Sequence, residues 1–172
     1  MEQVIVLETE RLILAQLTAQ DAPFILQLVN EPSFIQNIGD RGVRTISDAE
    51  KYIANGPVSS YARNGFGLWR VTLKETGEAI GMCGLIRRDA LEDVDVGYAF
   101  LPRFWGKGYA SEAVNGTLKF AKSSARLTRV VAIVDPNNQG SIRVLEKAGF
   151  QFEKMVQLSA DDIELKLFGL GI

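Results

Sequence analysis

The stretch V-D-V-G-Y-A-F-L-P-R-F-W-G-K-G-Y-A-S-E-A, residues 94–113, decides how this chain is read. Its first part is a run of β-formers that Pro102 stops, because proline brings no N–H to a strand ladder. Its last part opens a helix with apolar residues at Ala110, Ala113, Val114, Leu118 and Ala121, close to a 3.6-residue period. Between them lie Gly106 and Gly108 around Lys107. A helix start leaves its first N–H groups without intrahelical partners and carries partial positive charge. Glycines let a ligand approach the main chain, and Arg103 and Lys107 add cations, so a pyrophosphate is the natural guest. A plain strand-to-helix turn remains the alternative. A Walker loop is excluded, since Gly108 follows Lys107 where serine or threonine belongs. A dinucleotide fingerprint fits poorly: Ser111 stands in place of the third glycine, and the next strand opens with Thr128-Arg129.

Working outward, 172 residues with 47% hydrophobic and 23% charged side chains fit one globular domain, 1–172. The net charge of −2 gives no footprint for nucleic acid or an anionic membrane. No apolar run is long enough for a membrane span, and the start M-E-Q-V-I-V-L-E-T-E-R lacks signal-peptide features, so a cytoplasmic protein is expected. The lone Cys83 sits in the apolar run A-I-G-M-C-G-L-I and reads as a buried, inert thiol. There are no histidines, which removes histidine-based triads and histidine-ligated zinc. Catalysis must then rest on carboxylates, hydroxyls, lysine or backbone groups.

The first strand is R-L-I-L-A-Q-L, residues 11–17, followed by a capping box at Thr18 to Asp21 and a helix. Ser47 and Glu50 read as a second box, opening a helix that ends near Gly56-Pro57, and the segment 31–44 between these helices reads as an irregular, mobile loop. A hairpin over residues 66–87, the strand before Pro102, a strand at 128–134 and two last strands at 150–157 and 163–168 complete the pattern. The order β-α-α-β-β-β-α-β-α-β-β predicts an α/β fold: a mixed sheet of about seven strands, with strands four and five parallel, flanked by about four helices.

Three motifs carry a family resemblance. R-x-x-G-x-G-Y-A-S-E-A after D-V-G-Y-A-F-L-P resembles the acetyl-CoA signature of the Gcn5-related N-acetyltransferases (GNAT). N-N-Q-G-S-I-R-V-L-E-K-A-G-F, residues 137–150, is similar to that family's second motif, and T-E-R-L-I-L, residues 9–14, to its RimJ/RimL-like branch of ribosomal-protein N-terminal acetyltransferases. The resemblance implies acetyl-CoA as co-substrate, with no metal, in a cleft where strands four and five splay. The pantetheine arm would pair near Phe100 and Leu101, and the pyrophosphate would sit on Arg103, Trp105, Gly106, Lys107, Gly108, Tyr109 and Ala110.

The implied chemistry is attack of an amine on the thioester, which needs a proton acceptor. Asp95 matches the family's frequent strand-four glutamate, with Gly97 on its own face and Val96 and Tyr98 on the other; a salt-bridged strand carboxylate is the other reading. Glu92 and Asp93 could serve through water. The tyrosine with which many relatives protonate the leaving thiolate is absent, because Leu145 occupies its place. Ser141 in the first turn of that helix is the replacement, with helix-start hydrogen bonding as its other reading. Asn138 is either the cap of that helix or a pantetheine contact. Trp69 is expected in the core, Tyr109 packed under the loop, Glu112 answering the helix dipole, and Asp161-Asp162 in a solvated turn. The acceptor, a protein N-terminal or small-molecule amine, would meet the region of Phe34, Asp40, Arg41 and Arg44. A monomer or homodimer is expected. The competing functions are a non-catalytic acyl-CoA-binding domain and, more remotely, a nucleotide-dependent oxidoreductase.

Overall fold

The structure, a computed structural model, describes residues 3–172. They form one eight-stranded sheet in the order β1-β2-β3-β4-β5-β6-β8-β7. The strands are β1 (Ile5–Glu8), β2 (Leu12–Gln16), β3 (Leu68–Leu73), β4 (Ala79–Ile86), β5 (Asp95–Phe100), β6 (Arg129–Val134), β7 (Gln151–Val156) and β8 (Leu165–Gly171). The helices are α1 (Ala22–Val29), α2 (Pro32–Asn37), α3 (Ile46–Ile53), α4 (Ser59–Asn64), α5 (Tyr109–Ser123) and α6 (Gln139–Lys147).

The expected mixed sheet is present, with one strand more than the residue pattern predicts. β1 is a four-residue edge strand lying antiparallel to β2. Its end residues are exposed, so the alternation that marks a half-buried strand is too short to register. Strands four and five of the sequence pattern are β5 and β6, and they are parallel as expected.

The first helical region follows its capping box: Thr18 Oγ1 accepts from Gln20 N, and the Asp21 carboxylate accepts from Thr18 N at 2.9 Å. The second box lies two residues earlier than expected. Thr45 Oγ1 accepts from Asp48 N at 3.0 Å and the Asp48 carboxylate accepts from Thr45 N, while Ser47 already lies inside α3. Thr45 has the extended backbone a cap requires, which sequence spacing alone does not reveal. Nor does the helix stop at Gly56-Pro57. It widens into a π turn over Ala54–Val58, which accommodates the missing N–H of Pro57, and resumes as α4. Gly65, left-handed at φ 78°, ends it. The segment expected to be an irregular loop contains α2, whose Phe34 is buried.

Two apolar layers cover the sheet. On one face, Leu12, Leu14, Trp69, Val71, Cys83, Leu85, Val96 and Phe100 pack with Ala113 and Val114 of α5 and Ile142 and Leu145 of α6. On the other, Leu17, Met82 and Leu101 pack with Ile25, Leu28 and Ile53. Strand alternation divides neighbours such as Met82 and Cys83 between the layers. Trp69 is 1% exposed and meets Phe120 edge-to-face at 4.9 Å, as its core reading requires.

Candidate active site

The sheet has a fault line. β5 is paired with β4 along its whole length, and β6 likewise with β8. Between β5 and β6, among the described residues, the ladder pairs only Asp95 with Val131. The strands then diverge toward Pro102 and the glycine loop, leaving a gap with Asp95 at its apex.

Hydrogen bonding fixes which backbone groups face that gap. Val131 N donates to Val94 O at 3.0 Å, whereas Leu101 N donates away from the gap to Ile80 O at 2.9 Å. Alternation along β5 therefore turns the N–H and C=O groups of Val96, Tyr98 and Phe100 toward β6. Phe100 O is taken by the indole Nε1 of Trp105 at 2.9 Å. Phe100 thus reaches the gap through its amide, and Leu101, its side chain buried at 1% exposure, does not reach it.

At the wide end of the gap, a short turn over Pro102–Phe104 leads into the loop. Gly106 and Gly108 adopt φ of 77° and 84°, conformations costly for any residue with a Cβ. A Cβ on Gly106 would meet nothing among the described residues within 4 Å, so that position lies open to a ligand. Gly108 is the N-cap of α5, and among the described residues no side chain caps that helix. The amides of Tyr109 and Ala110 in its first turn are thus presented as an anion seat. Arg103 pairs with Glu78 at 2.6 Å, both side chains about half exposed.

The loop is held from behind by a contact of Thr9 and Arg11 with Glu112 that the sequence did not indicate. Arg11 N and Nε donate to the Glu112 carboxylate at 2.8 and 2.7 Å, and Thr9 Oγ1 donates to the same group. Burial pushes the Glu112 carboxyl up, and these bonds together overcome it and hold it below the usual carboxylate range. Arg11 Nη1 donates to Lys107 O at 3.0 Å, and the guanidinium lies 4.4 Å from the centre of the Tyr109 ring. The T-E-R-L segment is thus a clamp under the loop. Tyr109 packs beneath the loop and Glu112 is structural, as expected.

At the apex, Asp95 is 1% exposed and accepts a hydrogen bond from Arg88 Nε at 3.1 Å. Burial raises its carboxyl to about 6, against the opposing pull of Arg88. Arg88 was not singled out in the sequence; its contact crosses from the end of β4 through the following loop. Glu92 is exposed, and Asp93 is engaged by Arg129 at 3.1 Å on the far side of the junction.

Across the gap, Asn138 caps α6, its side-chain oxygen accepting from Ser141 N at 3.2 Å. Ser141 Oγ lies 2.6 Å from the hydroxyl of Tyr98, which comes from β5. Along β5 the gap thus runs from Asp95 at its apex past Tyr98 to the loop at its mouth, with Tyr98 and Ser141 on the α5–α6 face and the Asp95 side chain on the opposite one. Outside it, Phe34 belongs to the core and Asp40 pairs with Arg44. Asp162 closes a local turn, accepting from Ser159 Oγ at 3.0 Å. Cys83 is fully buried, and burial lifts its thiol to about 12, so it is inert. Among the described residues no group of three acidic, cysteine or histidine side chains could hold a metal, and no helix is long and apolar enough to cross a membrane.

The acetyltransferase (GNAT) domain family matches residues 11–151. YkkB of Bacillus subtilis is 36% identical over 95 residues, which are 54% of this chain and 55% of that one. The N-acetyltransferase YoaA of the same organism is 30% identical over 88% of this chain and 86% of its own. In fold, an acetyltransferase from Agrobacterium tumefaciens superposes with a TM-score of 0.82 at 24% identity, covering 100% of this chain and 95% of that one. RimL, a ribosomal L7/L12 alpha-N-protein acetyltransferase, in complex with coenzyme A scores 0.80 at 19% identity, covering 99% and 98%. The microcin C7 self-immunity acetyltransferase MccE, in complex with acetyl-CoA and AMP, scores 0.78 at 20% identity, covering 95% and 93%. With a splayed β5–β6 pair, a glycine loop that leaves the start of α5 without a side-chain cap and a family match across most of its length, the chain belongs to the GNAT acetyltransferases, the family of acetyl-CoA-dependent N-acetyltransferases.

Proposed function

We propose that the protein transfers an acetyl group from acetyl-CoA to a primary amine, on a protein N-terminus or a small molecule, by direct attack on the thioester. The observation that carries this reading is the gap with the buried Asp95 carboxylate at its apex and the uncapped glycine loop at its mouth. A linear phosphorylated thioester laid along that gap would put its reactive end by Asp95 and its pyrophosphate on the loop. The residues present fit it: two left-handed glycines, free first-turn amides at Tyr109 and Ala110, open space at Gly106, and Lys107 and Arg103 at the mouth. Phe100 N–H and both backbone groups of Tyr98 offer strand-like pairing to the arm between.

Asp95 accepts the amine proton in this scheme. A carboxyl raised to about 6 is mostly ionised at neutral pH yet more basic than an exposed aspartate, which suits a general base. Arg88 fixes its orientation. Ser141 Oγ–H donates to the departing sulfur, and gap-facing β5 amides stabilise charge on the carbonyl oxygen. RimL, named for a ribosomal-protein acceptor, and MccE, solved with acetyl-CoA and AMP, share this fold, which by itself does not select the acceptor.

The test is an amine panel followed by CoA release, comparing the wild type with Asp95→Asn. Turnover should fall roughly hundredfold or more, the usual worth of a positioned base, with acetyl-CoA affinity nearly unchanged. In kcat/KM the acidic limb near pH 6 should vanish with the carboxyl. An Asn variant as fast as the wild type on every accepted amine removes Asp95 as the base.

A further inference from the structure

The leaving-group tyrosine missing from α6 has a counterpart on β5. Tyr98 extends from the gap edge to the first turn of α6, where its hydroxyl lies 2.6 Å from Ser141 Oγ and 3.2 Å from Ser141 O. This contact spans the divergence between β5 and β6, beyond the one pair that joins them. The phenol has one proton and two acceptors within reach, Ser141 Oγ and the Ser141 carbonyl; Oγ is much the nearer, and of the two hydroxyls in that 2.6 Å contact the phenol is the more acidic and so the better donor. A serine oxygen that accepts from Tyr98 points its own proton elsewhere. Ser141 N is already committed to Asn138, so the helix start is capped without the hydroxyl.

We propose that Tyr98 is a positioning residue for the leaving group: it donates to Ser141 Oγ and thereby turns the Ser141 proton into the gap toward the departing sulfur. The inference rests on the role assigned to Ser141 under the proposed function. As the amine nitrogen bonds to the acetyl carbon, the carbon–sulfur bond breaks and its electron pair leaves on sulfur. The amine's extra proton goes to Asp95, and Ser141 keeps its proton while hydrogen-bonding the thiolate. Tyr98 remains a phenol throughout, since burial raises its ionisation above the ordinary tyrosine value. Ser141 and the protonated Cys83, opposite Tyr98 on β4, are the polar neighbours of that phenol.

The test uses Tyr98→Phe, which keeps the ring and its packing, with Ser141→Ala and the double variant. One readout is turnover with acetyl-CoA. Each single variant should lose about tenfold to hundredfold in kcat, the worth of a hydrogen bond to a charged group, and the double should be no worse than the poorer single. The second readout needs no acceptor: the pH at which the thiol of bound coenzyme A ionises, followed by thiolate absorbance. A donor aimed at sulfur lowers that pH in the wild type, and the lowering should shrink alike in both single variants. Tyr98→Phe with wild-type turnover and thiol ionisation, alongside a defective Ser141→Ala, overturns the role of Tyr98 and leaves that of Ser141. Additive losses in the double variant overturn it as well. Wild-type behaviour of Ser141→Ala removes the underlying reading itself.

Discussion

Asp95 shows at the scale of one residue how a site's chemistry and the protein's stability oppose each other. Its native carboxyl titrates at about 6 because burial disfavours the charge, while the ordinary value is 3.8. Below the ordinary value the group is protonated in both folded and unfolded chains and contributes nothing adverse. Between the two values the unfolded chain ionises this carboxyl and the folded one does not, so stability is lost as pH rises from the ordinary value to the native one and levels off above it. A displacement of this size corresponds to about 3 kcal/mol. Asp95→Asn removes this cost. The attraction of Arg88 grows as Asp95 ionises, but it is already contained in the native value of about 6 and so adds no further dependence on pH. The stability of the Asn variant relative to wild type should therefore improve by about 3 kcal/mol between about pH 3 and pH 7 in denaturant titrations. A relative stability flat with pH shows that burial does not set this carboxyl. The sequence marked Asp95 through the family resemblance, as the counterpart of a frequent strand-four glutamate in a chain without histidine. It could not show Arg88, which arrives from a different segment and matters only once β4 and β5 are paired.

At the scale of elements, the glycine loop is a geometry imposed on the chain by its neighbours. The left-handed Gly106 and Gly108 let the chain fold back to the start of α5, and Arg11 holds the turn through Lys107 O. A Cβ on Gly108 would also meet Arg11 Nη2 at 3.3 Å, so clamp and glycine fit against each other. The strand stop, the two glycines and the helix behind them were legible, because each is local in sequence. The clamp was not, since Arg11 and Glu112 are joined only when β2 is laid beside α5. The same limit explains the displaced capping box: Thr45 and Ser47 both suit the role, and backbone conformation chooses between them. It also hid the contact of Tyr98 with Ser141, which joins a strand to a helix across the gap. Arg11→Ala should raise the dissociation constant for acetyl-CoA about tenfold, with kcat little changed at saturation. Its cost in stability should stay near 1 kcal/mol or less, as for a solvent-exposed ion pair. Unchanged affinity, measured by calorimetry, means that the loop keeps its shape without the clamp.

For the whole molecule, the fault line between β5 and β6 is where function takes backbone that a continuous sheet would use for itself. Strands β1 to β5 form one fully laddered half and β6, β8 and β7 the other, joined at Asp95 and Val131 and spanned by α5 and α6. Unpaired strand edges are ordinarily a liability, and here the open edge is short and sheltered between two helices. The hydrogen-bond alternation along β5 then makes a prediction that no side chain can mimic. In the free protein, the amides of Tyr98 and Phe100, facing the gap, should exchange with solvent faster than those of Ala99 and Leu101, which bond to β4. Acetyl-CoA, binding along the gap, should slow exchange at Tyr98 and Phe100 and leave Ala99 and Leu101 as they were. It should also stabilise the whole fold by about 2.7 kcal/mol at a hundredfold excess over its dissociation constant, as any ligand of the native state does. Global stabilisation without selective protection of the alternate amides would place the ligand elsewhere on the molecule. Selective protection at Tyr98 and Phe100 would locate the arm on the strand edge that β6 leaves open.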